Sequence, residues 1–218
     1  MDVLDNEQLR AEELTDWRKL AQRLHARYRA PDARAAGRAA ADFLALDGAG
    51  DRLEVRLFGA VLDLALCDRT EGRRVTRREV ELARAVSRLA GDHELVAQPA
   101  EVTQLELALD TANRSALAPF WAALLTGDGD GTVRDEVFDP TDRVPSLWFQ
   151  NTDDHDPPRQ RWHLDLWLAP ESAEARIAAA VAAGGTVVDD DNAPSFTVLA
   201  DPDGNRVCVC TSLAREDG

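Results

Sequence analysis

The chain has 218 residues, 44% of them hydrophobic and 30% charged, with a formal net charge of -15. That size allows one large domain or two of ~100 residues, each burying a modest core, and the composition is that of a water-soluble globular protein. No apolar run reaches the ~18 residues of a membrane helix, and the acidity disfavours phosphate backbones and anionic membranes, so neither nucleic acid nor a membrane is an expected partner.

The start, MDVLDNEQLRAEEL, has neither the basic end nor the apolar run of a secretory signal, and a cytoplasmic location is expected. The cysteines, Cys67, Cys208 and Cys210, make no disulfide framework and are read as reduced. A short acidic helix is expected over residues 5 to 14. Trp17 to Tyr28 alternates with period two and reads as strand, broken by a turn. Asp32 suits an N-cap for an Ala-rich helix to Leu46, which Gly48 and Gly50 end. Leu53 to Phe58 and Val61 to Cys67, joined through Gly59, read as a hairpin. Thr76 and Glu79 form a capping box for a helix whose apolar face is Val80, Leu82, Ala83, Val86 and Leu89, ending near Gly91. Asp92 to Glu101, with Pro99, reads as a linker.

Beyond it the chain repeats itself. QLELALDTANRSALAPFWAALL begins at Gln104, and HLDLWLAPESAEARIAAAVAAG echoes it from His163. Each unit is a strand running into an Ala-rich helix, the signature of a duplicated module. Further strands are expected at Thr132 to Phe138 and Val144 to Gln150 in the first half. In the second they fall at Thr186 to Asp189, Phe196 to Ala200 and Arg206 to Thr211, the last preceded by turn residues Asp201 to Asn205. The repeat therefore reads as βαβββ-like.

The words APFWAALL, VPSLWFQ, RQRWHLDLWL, AAGGTVV and FTVLADPDGNRVCVC, in this order, resemble the small actinobacterial glyoxalase-like branch of the vicinal-oxygen-chelate superfamily. Trp17, the helix from Asp32, the strand pair and VTRREVELARAVSRLA at Val75 to Ala90 more faintly resemble pterin-4a-carbinolamine dehydratases. The two resemblances imply an α+β protein: residues 1–95 a dehydratase-like antiparallel sheet with helices, residues 101–213 a glyoxalase-like paired βαβββ barrel. Both families commonly assemble, which makes a homodimer an expectation.

The dehydratase resemblance implies a His-His-Pro motif and a third histidine. Here those positions hold Asp51, Arg52 and Leu53, and Asp68, so the N-terminal domain is expected to be inactive. In the barrel, alternation puts Gln104 and Glu106 on one face of the first strand and His163 and Asp165 on its partner. Polar residues at matched positions of two repeats point to a concave binding site, where a core strand would carry apolar ones. The glyoxalase resemblance implies metal ligands at Gln104 and His163, but its later glutamate is Cys208 here and no acid occupies 144–150. The expectation is a metal-free site with no cofactor, although His with Cys208 would suit zinc.

Without a metal, His163, Asp165 and Glu106 are the candidate acid–base residues, with a buried, hydrogen-bonded histidine as the plain alternative. Gln104, Trp148, Gln150, Trp167 and Cys208 are candidate ligand contacts, the tryptophans offering flat surface to an aromatic or polycyclic molecule. His155 reads as solvated. The expected function is metal-independent binding or acid–base conversion of a small organic metabolite, and any reaction would be of lyase or isomerase type. A metal-dependent lyase, isomerase or dioxygenase, and 4a-hydroxytetrahydrobiopterin dehydration, are the competing readings.

Overall fold

The computed structural model describes residues 3–70, 72–112, 114–126, 130–139, 142, 145–153, 162–182, 185–200 and 206–214. The expected turn at Asp201 to Asn205 and the loop histidine His155 lie outside these. Contacts divide the chain into two compact units: Met1–Thr103 with Leu168–Glu174 and Thr211–Gly218, and Gln104–Trp167 with Ala175–Cys210.

In the first unit α1 (Asn6–Ala11) precedes β1 (Trp17–Leu20) and β2 (Arg23–Arg29), then α2 (Ala33–Leu44), β3 (Leu53–Phe58), β4 (Val61–Leu66), α3 (Arg77–Asp92) and β5 (Val96–Ala97). The single alternating stretch from Trp17 is thus two antiparallel strands, turned at Ala21 with φ 46°. The sheet runs β1-β2-β4-β3, and β5 joins β2 beside Tyr28 and Arg29. The expected linker is therefore structured: two residues of strand are too short to leave a periodic signal, and only pairing with a distant partner reveals them.

Alternation on β2 and β4 turns Leu24, Ala26 and Tyr28, with Leu62, Leu64 and Leu66, toward Ala36, Ala39 and Phe43 of α2 and Val80, Ala83 and Val86 of α3. The caps are those the sequence signals. Asp32 accepts from the Ala35 N–H at 2.7 Å, and Glu79 accepts from the Thr76 N–H at 2.7 Å.

The second unit holds most of β6 (Thr103–Thr111), then α4 (Arg114–Thr126), β7 (Thr132–Val133), β8 (Glu136–Val137) and β9 (Leu147–Asn151). Its second half follows as β10 (Trp162–Leu168) up to Trp167, α5 (Pro170–Ala182) from Ala175, β11 (Thr186–Asp189), β12 (Phe196–Ala200) and β13 (Arg206–Cys210). The stretch expected as one strand from Thr132 is broken at Arg134, whose φ is 59°. These strands form a single mixed sheet in the order β11-β12-β13-β10-β6-β9-β8-β7.

The order reads outward from β10 and β6 in mirrored fashion. In each half the first strand pairs in parallel with the last, β6 with β9 and β10 with β13, and the intervening strands follow antiparallel. Two βαβββ modules therefore meet at their first strands. The expected barrel is corrected here: among the described residues no pairing joins β11 to β7, and the sheet is open. Repetition predicts two like modules, but closure depends on whether the outermost strands can reach each other, and β7 offers two residues. Leu107 and Leu109 of β6 pack with Ala118 and Ala122 of α4 and with Leu147 and Phe149 of β9. That leaves the other side of these strands to the polar residues.

Candidate functional site

Period two places Gln104, Glu106, Ala108 and Asp110 of β6 on one face. The strand registers bring to it Trp148 and Gln150 of β9, with Ser146 just before that strand, His163, Asp165 and Trp167 of β10, and Cys208 of β13, which lies directly beside Asp165. Gln104, Glu106 and Asp165 are buried. A buried carboxylate must be matched by donors, and these are.

Asp165 accepts the indole N–H of Trp148 at 2.9 Å on Oδ2 and faces Nδ1 of His163 at 3.2 Å through Oδ1. Glu106 accepts the indole N–H of Trp167 at 2.8 Å on Oε2 and the hydroxyl of Ser146 at 3.0 Å on Oε1. Two matched carboxylates, one in each repeat, are thus each held by a tryptophan and one further group.

His163 is the centre of the second set. Its Nε2 lies 3.0 Å from Gln150 Oε1 and 3.3 Å from Asp110 Oδ1. The ring N–H points at Gln150, so Asp110 Oδ1 interacts by charge rather than as a hydrogen-bond acceptor. The Cys208 sulfur is 4.0 Å from Nδ1, and the indole of Trp148 meets the imidazole edge to face, centroids 5.8 Å apart at 84°. Burial disfavours the imidazolium, but hydrogen bonding to Asp165, then Cys208, and their charges outweigh it and push its pKa up to about 10.

The structure therefore brings His163, Asp165, Trp148, Gln150 and Cys208 together, and places Glu106 in a separate cluster with Trp167 and Ser146. Asp110 and Ser146 escaped the sequence reading. The signal for Asp110 was available: the parity that selects Gln104 and Glu106 continues along β6 to residue 110.

The glyoxalase-like resemblance raises a metal, and His163, Asp165 and Cys208 do offer ligand atoms within 4.8 Å of one another. Metal ligation needs an imidazole lone pair. Here both ring nitrogens face acceptors and the ring holds its second proton well above neutrality, so these residues do not fit a metal as arranged.

In the first unit, Arg52 and Asp68, at two of the positions the dehydratase resemblance gives to histidine, are locked together. Arg52 Nη1 donates to Asp68 Oδ2 at 2.8 Å and also to the fully buried Glu79. Burial would raise the Asp68 pKa, but donation from the Thr70 hydroxyl and N–H, and from Arg52, takes it down to about 2. That carboxylate is committed to holding the loop and is a poor proton acceptor.

Comparison with known proteins agrees with the geometry of the second unit. Residues 106–210 match the family model described as a glyoxalase-like domain. The match does not extend to the N-terminal α/β region, and no curated protein matches the chain.

Proposed function

We propose that the glyoxalase-like domain binds a small organic molecule without a metal and uses His163 as a charged hydrogen-bond and proton donor. The observation that carries this reading is the occupation of both imidazole nitrogens, Nδ1 by Asp165 and Nε2 by Gln150. Acceptors at both nitrogens favour the imidazolium, which can give a proton or a hydrogen bond and in that state has no lone pair for a metal.

Each neighbour has a distinct part. Trp148 holds Asp165, and Asp165 holds the ring, so the donor is positioned before any ligand arrives. Gln150 is exposed, and its amide oxygen occupies the place a ligand carbonyl or hydroxyl oxygen would take at Nε2. Asp110 supplies an acceptor beside it for a ligand donor group. The Trp148 indole adds flat apolar surface suited to an aromatic or polycyclic ligand. Glu106, with both oxygens engaged, supports the site rather than exchanging protons in it.

Elemental analysis of the purified protein before and after chelation, alongside His163→Ala, tests this. Metal content well below one ion per chain, unchanged by the variant, is expected. Near-stoichiometric metal that disappears in His163→Ala would overturn the reading in favour of Lewis-acid chemistry.

A further inference from the structure

The carboxylates of the polar face are not equally provided for. Glu106 takes a donor on each oxygen, and Asp165 is bonded to Trp148 and faces His163. Asp110 differs: its Oδ1 is closed off from solvent and accepts no hydrogen bond from the described residues, in a side chain only 16% accessible. A buried carboxylate oxygen without a donor is costly, and a ligand that brings the donor removes the cost.

The neighbouring charges point the same way. His163 has Asp110 Oδ1 at 3.3 Å from Nε2 and Asp165 Oδ1 at 3.2 Å from Nδ1. One imidazolium therefore faces two carboxylates, and one negative charge is left over; a neutral ring would enlarge the surplus. Among the described residues no arginine or lysine pairs with either carboxylate, and Arg206, on the same face as Cys208, is exposed at the start of β13. Glu136, in register with Trp148, adds a further acid to the face.

Gln150 shows what a ligand has to bring. It lies beside Asp110 in register and sets its amide oxygen on Nε2 of His163, yet it donates nothing to Asp110 Oδ1. The imidazolium has its acceptor, and the carboxylate lacks its donor.

We propose that this site takes an organic amine carrying an oxygen on the neighbouring carbon, a vicinal amino alcohol or α-amino carbonyl, whose ammonium binds Asp110 and whose oxygen displaces Gln150 from His163. The proposal rests on the reading of His163 as a charged donor. Nε2 and Oδ1 are 3.3 Å apart, close to the separation of nitrogen and oxygen on adjacent carbons, so one small group reaches both. An ammonium there balances the surplus charge and supplies a charge-assisted hydrogen bond where a neutral ligand leaves the oxygen bare. The apolar surface of Trp148, beside the imidazole, suits a ring attached to the same skeleton.

The test is calorimetric titration of the full chain, wild type and Asp110→Asn, at neutral pH with two probes: phenylalaninol, a vicinal amino alcohol, and phenylpropanol, the same skeleton without the amine. The wild type should bind the amine about tenfold more tightly, the worth of one hydrogen bond to a charged group. The amine should also shift the NMR signals of the His163 ring and the Trp148 indole N–H. Asp110→Asn keeps the shape and loses the charge, and the preference should disappear with it. Equal affinities in the wild type, no binding of the amine at millimolar concentration, or a preference that survives Asp110→Asn would overturn the proposal. If circular dichroism shows that the variant does not fold, the two wild-type titrations and the NMR shifts decide alone. Chelated, dialysed protein is used throughout, so equal affinities in metal-free protein count against the amine and not against the reading of His163.

Discussion

Trp148 and Asp165 come from different repeats and meet through one hydrogen bond, the indole N–H to Oδ2 at 2.9 Å. Trp167 reaches in the opposite sense, from the second repeat to Glu106 in the first. The two carboxylates that occupy matched positions in the duplicated strands are thus each tied to the other half of the sheet. Because Asp165 also holds His163, the Trp148 bond links the packing of the sheet to the state of the imidazole.

Replacing Trp148 with Phe keeps the apolar ring and deletes the donor. Asp165 is buried, so its Oδ2 would lose its partner at a cost of about 2 kcal/mol, measurable by urea denaturation. The His163 ring resonances should move as well. A stability loss with no change at His163 would show that the carboxylate does not depend on Trp148 to hold the ring.

The pH dependence has a defined sign. The folded pKa of His163, about 10, lies above its ordinary value near 6.5, so the charged ring stabilises the fold fully below pH ~6.5. That contribution is lost as pH rises toward and through about 10. The loss is on the order of 3 kcal/mol, and His163→Gln should flatten the stability profile over this window.

Asp110→Asn removes the carboxylate 3.3 Å from Nε2 and leaves a side chain of the same shape. The His163 titration, followed by NMR, should move down by about one pH unit with the fold intact. An unmoved midpoint would show that Asp165 and Cys208 set the charge of the ring without Asp110.

In the N-terminal unit, Arg52→Ala would leave Asp68 and Glu79 buried without their shared cation, costing about 3 kcal/mol at neutral pH. The folded pKa of Asp68 is depressed, so the wild type should keep this contribution above pH ~4 and lose it as pH falls through about 2. In the variant the sign reverses. Acidification neutralises the Asp68 carboxylate left without Arg52, and the gap to wild type should narrow between pH 7 and pH 4 in denaturant titrations.

Local pattern alone determined much of this protein. Thr76 and Glu79 announce a helix start because a capping box joins residues three apart, and the structure has that box. The repeated strand–helix units at Gln104 and His163 determined the mirrored halves of the second sheet, since like segments fold alike. Period two likewise selected Gln104, Glu106, His163 and Asp165, whose neighbours along the strand define their face. What only the tertiary structure decided rests on partners far apart in the chain: the pairing of β5 with β2, the open ends of the eight-stranded sheet, the tie from Trp148 to Asp165, and the meeting of Asp110 and Gln150 at one nitrogen of His163. A strand's alternation says which side chains share a face, but which strand lies beside it, and in what register, is set by packing between distant segments.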